Sequence, residues 1–432
     1  MIIHAEEKAV KEPLMPGMIN GAVRAVKCIN GAVPLLHASQ GCQESLYFDG
    51  CFSPVKPRFC LQEMKEEPYL PSTIVNEEDV IFGAEQGLEV SLEGLYSKCT
   101  PELIAVLTSD APEIIGDDVA DVAQTVSTRV NCQLLNVEAG SLNGNYIDGF
   151  RATIEALVDQ IMVPRETVER SVNLVGVAGD EVSAHFDVLE LKRLLKSVGI
   201  YTNAVFLSHT SLAEIERAPQ AALNIVINEE LGLLPAKKME QQFDIPYFLG
   251  GVPYGIQGTA EWLLEVASIF GLEEGALAFT EQTVPHTIHL MRKYERDINF
   301  SLDAAVSADP TPAVGFTILL QELGCSITLL TVRSPPGQTM VRRLHSLDDT
   351  DRVILICPDY YQYIEALKDT EDIDVVFGSF IDSLAASAYS IPVIEMFYPL
   401  MRMVEWEGPL MGFEGAVNMA KKLAKYCIQQ WL

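Results

Sequence analysis

Short apolar runs alternate with longer amphipathic stretches along most of the chain. Val33–His37, Leu103–Thr108 and Cys132–Glu138 are near-continuous apolar runs, as expected for strands covered by helices on both faces. Glu85–Lys98, Ile114–Arg129 and Tyr146–Met162 carry helical spacing between and after them. The rhythm restarts at Val172–Ala178, followed by a helix over Phe186–Ser197 and strands at Ala204–Leu207, Ile225–Ile227 and Tyr247–Leu249. A long helical stretch, Leu277–Asp297, leads into a third set of strands. These are Ala304–Ala308, Ile327–Val332, Val353–Ile356, Val375–Phe377 and Val393–Phe397, with Gly415–Ile428 as a closing helix. This pattern predicts an α/β protein of three doubly wound, Rossmann-like parallel-sheet domains. The expected boundaries are 1–165, 166–298 and 299–406, with 407–432 a helix packing back on the body. Gly31–Pro71 breaks the rhythm: it is too long and too proline-rich for an ordinary strand-to-helix connection, and long loops inside compact domains are usually functional or disordered.

Length agrees with this division, since 432 residues at roughly 150 per domain give about three. The 60 acidic against 30 basic side chains leave a net charge of −30. That charge argues against nucleic acid and against an anionic membrane surface, both of which need a basic face. No apolar run reaches the ~18 residues of a membrane span, and the N-terminus has no signal-peptide pattern, so a cytoplasmic location is expected. The odd count of nine cysteines points to free thiols or metal ligands rather than a disulfide framework.

Several catalytic signatures are missing. There is no GxxxxGK[ST] loop, so the chain is not expected to hydrolyse ATP itself. GxSxG and HExxH are absent as well. Gly250-Gly251…Gly255…Gly258 fits no dinucleotide fingerprint and reads as a strand-to-helix turn. His286 and His289 share a helix face, but no third ligand is in view. Cys28, Cys42, Cys51 and Cys60 fall in one short window, and soft thiolates suit iron–sulfur chemistry. Cys42 follows the end of the first predicted strand, where open α/β sheets bind ligands. Cys325 and Cys357 sit in apolar runs and read as packing residues. Cys99, Cys132 and Cys427 show no partner pattern.

Several segments, taken in order, resemble one family. His37-Ala38-Ser39-Gln40-Gly41-Cys42 resembles the HGSQGC segment of β-type subunits in the nitrogenase component 1 family. Asn76–Gly83 resembles its TED/EKD-x-x-FGG stretch, and Ala111–Asp118 its AE-x-IGDD stretch. Leu320–Cys325 and Met411–Ala416 match in kind and order, so the resemblance covers about residues 16–430. It implies pairing with an α-type homologue, usually as α2β2. It also implies an iron–sulfur cluster at the αβ interface and a separate ATP-hydrolysing iron protein that docks and delivers electrons.

The chain departs from the family at the cluster. Of three β-type cysteine positions, Cys42 matches one, while Gly17 and Asp110 occupy the other two. The resemblance therefore implies a [4Fe-4S] cluster shared with the partner, with an eight-iron cluster the lesser reading. Asp110 is open between an oxygen ligand and, with Glu113, a helix-capping box; the capping reading accounts for both residues. Cys51 and Cys60 lie in an insertion and are possible replacement ligands. Three functions stay open: the β-type half of a nitrogenase-like reductase, a scaffold subunit for cofactor maturation, or a cluster-less α/β subunit.

Overall fold

The computed structural model describes residues 2–4, 16–51, 70–295, 302–347, 352–370, 372–400 and 406–430. Its three main sheets are built from parallel pairings. The first places Leu103–Thr108 between Ala32–His37 and Gln133–Glu138. The second runs in the order Tyr247–Phe248, Ala221–Val226, Val168–Val175, Tyr201–Val205. The third has six strands: Ile2–His4, Val353–Ile356, Ser326–Val332, Asp303–Ala308, Val375–Gly378 and Val393–Glu395. Ala32–His37 and Leu103–Thr108 are buried end to end, which is why they read as continuous apolar runs.

Two elements differ from the sequence reading. Ile2–His4, grouped there with the first unit, pairs with Val353–Ile356 in the third sheet. The single helix expected over Ile114–Arg129 is two, Asp110–Ile115 and Val119–Ser127. Gly116 breaks it at φ 83°, and Asp118 caps the second helix by accepting from the Asp121 N–H.

Helices Met18–Lys27 and Tyr146–Gln160 pack closely over the first sheet. A Cβ on Gly21 would lie 1.7 Å from the Tyr146 carbonyl oxygen, and one on Gly149 would lie 1.8 Å from that of Met18. Only glycine permits this approach. The same core continues into the second unit through Val175, Phe206, Leu207 and Ile215. The first two sheets thus share one apolar interior. Helix Gly412–Gln430 lies against Glu273–Glu295 and Gly255–Ile269, tying the end of the chain to the middle unit.

Carboxylates cross between the units to take helix N-terminal N–H groups. Glu230 accepts from the Thr311 N–H and hydroxyl, and Glu229 from the Met340 N–H. Asp187 accepts from Leu410 and Met411, and Glu322 from Ile256 and Gln257. Negative charge at a helix start is favourable, so part of the acidity of this chain fixes how its units sit together.

Candidate functional site at the C-terminal edge of the first sheet

Three loops leave the C-terminal edge of the first sheet, and the candidate residues lie on them. After Ala32–His37 the chain turns into helix Gln40–Cys51, with half-buried Cys42 in its first turn. The Ser39 hydroxyl donates to Cys42 Sγ at 3.5 Å. Residues 71–75 return alongside: Leu36 N–H donates to the Pro71 carbonyl, Thr73 N–H to that of Leu36 and Val75 N–H to that of Ala38.

His37 clasps this edge from inside. Its ring is fully buried, with Nδ1 3.0 Å from Thr73 Oγ1 and Nε2 3.1 Å from Asp117 Oδ2. Burial lowers its pKa against the pull of Asp117, which favours a neutral ring. Nε2–H then donates to Asp117, and Nδ1 accepts from Thr73. Asp117 Oδ1 in turn accepts from the Ala84 N–H. His37 therefore positions the loop that carries Cys42.

The capping reading of Asp110 is corrected. Ser109 stands at the N-cap, and Asp110 is the first residue of its helix. The Asp110 carboxylate reaches 32 residues along the chain to accept from the Leu142 N–H at 2.8 Å. Glu113 accepts from the Gly140 N–H and from Asn143 Nδ2. Both acids thus pin the loop that follows Gln133–Glu138. Gly17 faces the same loop: it bridges to Asn145, and a Cβ on it would meet Ser141 Oγ at 2.8 Å. Asp110→Ala should cost about 1 kcal/mol through its lost hydrogen bond, read as a lower denaturation midpoint. If the iron spectrum of the complex changes while that midpoint holds, Asp110 is instead a ligand.

Cys51 ends the helix whose first turn holds Cys42, and Cys60 lies outside the described residues. Among the described residues, no three His, Cys, Asp or Glu side chains are grouped to hold a metal ion. The exposed pair His286 and His289 gains no third partner of that kind. Cys325 is buried, its thiol pushed up to about 12, and Cys28 is raised by burial as well. Both behave as packing groups rather than thiolates. The glycine turn at Gly250–Gly258 opens a helix whose first N–H groups are taken by Glu322, so no phosphate cradle is left there.

The sequence reading missed the rim. Ile81, Phe82, Ile114 and Leu142 are 74%, 86%, 75% and 79% exposed. All four lie on the segments that hold Asp110 and His37. Exposed large apolar side chains are informative when they form a contiguous patch. The rim's only trace in the sequence is Val80-Ile81-Phe82, an apolar run behind three acids in a short helix that buries none of its residues.

The family model for nitrogenase component 1 type oxidoreductases matches residues 18–428. The nitrogenase molybdenum-iron protein beta chain of Methanococcus maripaludis is 22% identical over 468 residues, covering all of this chain and 97% of the relative. The nitrogenase vanadium-iron protein beta chain of Trichormus variabilis is 22% identical over 462 residues, covering 98% and 95%. The nitrogenase iron-molybdenum cofactor biosynthesis protein NifE of Clostridium pasteurianum is 30% identical over 203 residues, covering 47% of this chain and 44% of its own. The solved structure of nitrogenase Cp1 superposes with a TM-score of 0.82 at 18% identity, over 99% of this chain and 95% of that one, which extends the likeness to the fold. No helix among the described residues is long and apolar enough to cross a membrane. With its fold and a family model spanning nearly its whole length in agreement, the chain belongs to the nitrogenase component 1 type oxidoreductases.

Proposed function

We propose that this chain is the β-type half of a nitrogenase-like component 1 complex in the cytoplasm. It pairs with an α-type homologue, as α2β2, and contributes Cys42 to a [4Fe-4S] cluster at their shared face. The carrying observation is a half-buried thiol in the first turn after strand Ala32–His37, in a unit whose other loops expose large apolar side chains. The donor set suits a shared cluster. Cys42 offers one soft sulfur, and among the described residues no three His, Cys, Asp or Glu side chains are grouped to hold a metal by themselves, so a partner supplies ligands in this reading. An eight-iron cluster would ask this chain for more sulfur than the edge offers. When bound, the cluster supplies one-electron transfer.

The protein's own residues do the positioning. His37 and Asp117 fix the loop bearing Cys42, and Ser39 Oγ lies where it can donate to the sulfur and tune its basicity. The apolar rim excludes water once a partner covers it. An ATP-hydrolysing iron protein is the electron source in this reading, and its docking should weaken with salt if charge steers it.

A second reading, a scaffold for cofactor maturation, is favoured by the 30% identity to a NifE protein over part of the chain and by a cysteine at only one of the three β-type positions, Cys42. Iron and sulfide analysis of the complex, followed by turnover with an iron protein and ATP, separates the two. A reductase turns over substrate and keeps its cluster. A scaffold reduces little and transfers its cluster to an acceptor. A folded complex without iron overturns both and leaves a cluster-less subunit.

A further inference from the structure

A second site lies where the units meet. Strands Val168–Val175 and Ala221–Val226 of the second sheet, and Asp303–Ala308 and Val393–Glu395 of the third, lead directly into residues that line one cavity of about 60 Å³. Helices of the first unit add Arg24 and Tyr146 to its wall. Open parallel sheets bind ligands outside the carboxyl ends of their strands, and here two sheets end on the same space. None of His37, Cys42, Asp110 and Asp117 lines it.

Charge and hydrogen-bond accounting decide the class of ligand. Among the described residues the wall holds three carboxylates, Glu181, Asp187 and Asp309, against one guanidinium, Arg24. Arg24 is already taken: its Nε and Nη2 donate to the two carboxylate oxygens of Asp180, and it stacks on the Tyr398 ring at 3.5 Å. Asp187 accepts from Ser183 and from the Leu410 and Met411 N–H groups, and Asp309 accepts from the Tyr146 hydroxyl and from Ser334 Oγ. Glu181 has no such partners. It approaches Arg24 Nη2 only at 3.6 Å, beyond hydrogen-bond reach. Burial raises its pKa to about 8 against the pull of Arg24, so that guanidinium leaves its charge largely uncompensated. Tyr254 stands in the same wall and is only 4% exposed, and its hydroxyl has no hydrogen-bond partner among the described residues. Buried polar groups left unpaired are costly, so both side chains call for a group from outside the chain.

We propose that this cavity binds a small alkylammonium ion. Its N–H groups donate to Glu181 and to the Tyr254 oxygen, and its carbon chain lies on an apolar wall that includes Leu191, Leu231, Phe397 and Met411. Like a lysine side chain, such an ion keeps its charge to about pH 10. Size agrees: at ~10–15 Å³ for each water-sized group, the volume holds roughly four to six non-hydrogen atoms. An inorganic cation suits the wall less well. Neither cysteine nor histidine lines it, and no three acids of the described residues are grouped to hold a metal ion. The site is independent of cluster ligation by Cys42.

The test uses the full chain, together with whatever subunit copurifies. Butylammonium is titrated by calorimetry in sodium buffer at pH 8, with 1-butanol and potassium as comparisons. One saturable site per chain is expected, with a raised melting temperature. Butanol, uncharged and of the same size, should bind about tenfold or more weakly, and potassium at equal concentration should not displace the amine. Glu181→Gln should weaken butylammonium binding about tenfold or more. Tyr254→Phe should weaken it several-fold, and Glu274→Gln, at an exposed acid outside the cavity, not at all. Should Glu181→Gln fail to fold, Tyr254→Phe and the butanol comparison decide. No saturable binding, equal affinity for butanol, displacement by potassium, or unchanged affinity in the folded Glu181 or Tyr254 variants overturns the site.

Discussion

Replacing Cys42 by serine should strip the interface iron from the complex and leave the chain folded. Cys42 is half-buried and only partly packed against the first core, so exchanging sulfur for oxygen costs about 1 kcal/mol or less. Its contribution to a cluster is of another kind. A thiolate is a soft ligand matched to iron, and a serine hydroxyl is hard and stays protonated near neutral pH. Among the described residues no three His, Cys, Asp or Glu side chains are grouped, so no complete set stands ready to take over from Cys42 there. Retained iron should fall about tenfold or more, since even the loss of a supporting contact around a metal costs about 10–100-fold in affinity. Cys28→Ser and Cys325→Ser, at buried thiols away from this edge, should leave the iron unchanged. Full iron content in a well-folded Cys42→Ser complex would remove the proposed ligand.

The strands were legible because burial on both faces writes an apolar run that needs no partner to be recognised. Leu103–Thr108 and Val353–Ile356 have the bounds the hydrophobic pattern predicts. Ile2–His4 was not legible, since three residues carry no period and their partner lies some 350 residues away. The break at Gly116 was hidden because Ile114–Arg129 keeps helical spacing across it. It places Asp117 where His37 needs a carboxylate. Asp110 shows local chemistry yielding to tertiary contact. The sequence presents a cap for its own helix, while the fold spends the carboxylate on Leu142. Cys42 was found because a motif carries it. Arg24 and Asp180, separated by 156 residues, have no local signal, so their buried ion pair appears only once the sheets are assembled.

Stability should fall by several kcal/mol between pH 5 and pH 9. Burial, ahead of the neighbouring Asp309 charge, raises Glu230 to about 8 against the opposing hydrogen bonds from Thr311. Burial likewise raises Glu181 to about 8 and Asp187 to about 6. An unfolded chain ionises these groups near 4, so the folded state holds their protons more tightly. The stability they contribute is complete below that pH, declines as pH rises and is lost above about 8. For Glu230 alone, shielded from solvent, this amounts to a few kcal/mol. His37 acts oppositely. Its pKa is lowered by burial, so the unfolded chain binds the proton better, and stability falls as pH drops below about 6.5. General repulsion from the −30 charge cannot imitate the alkaline decline, because ordinary carboxylates are already fully ionised by about pH 6. Urea midpoints from pH 5 to 9 measure the decline. A folded Glu181→Gln/Glu230→Gln double variant, which keeps the side-chain shape and cannot ionise, should flatten it and unmask the opposing contribution of His37 on the acid side. An alkaline fall of the same size in that variant would mean that the decline arises from groups other than these two buried acids.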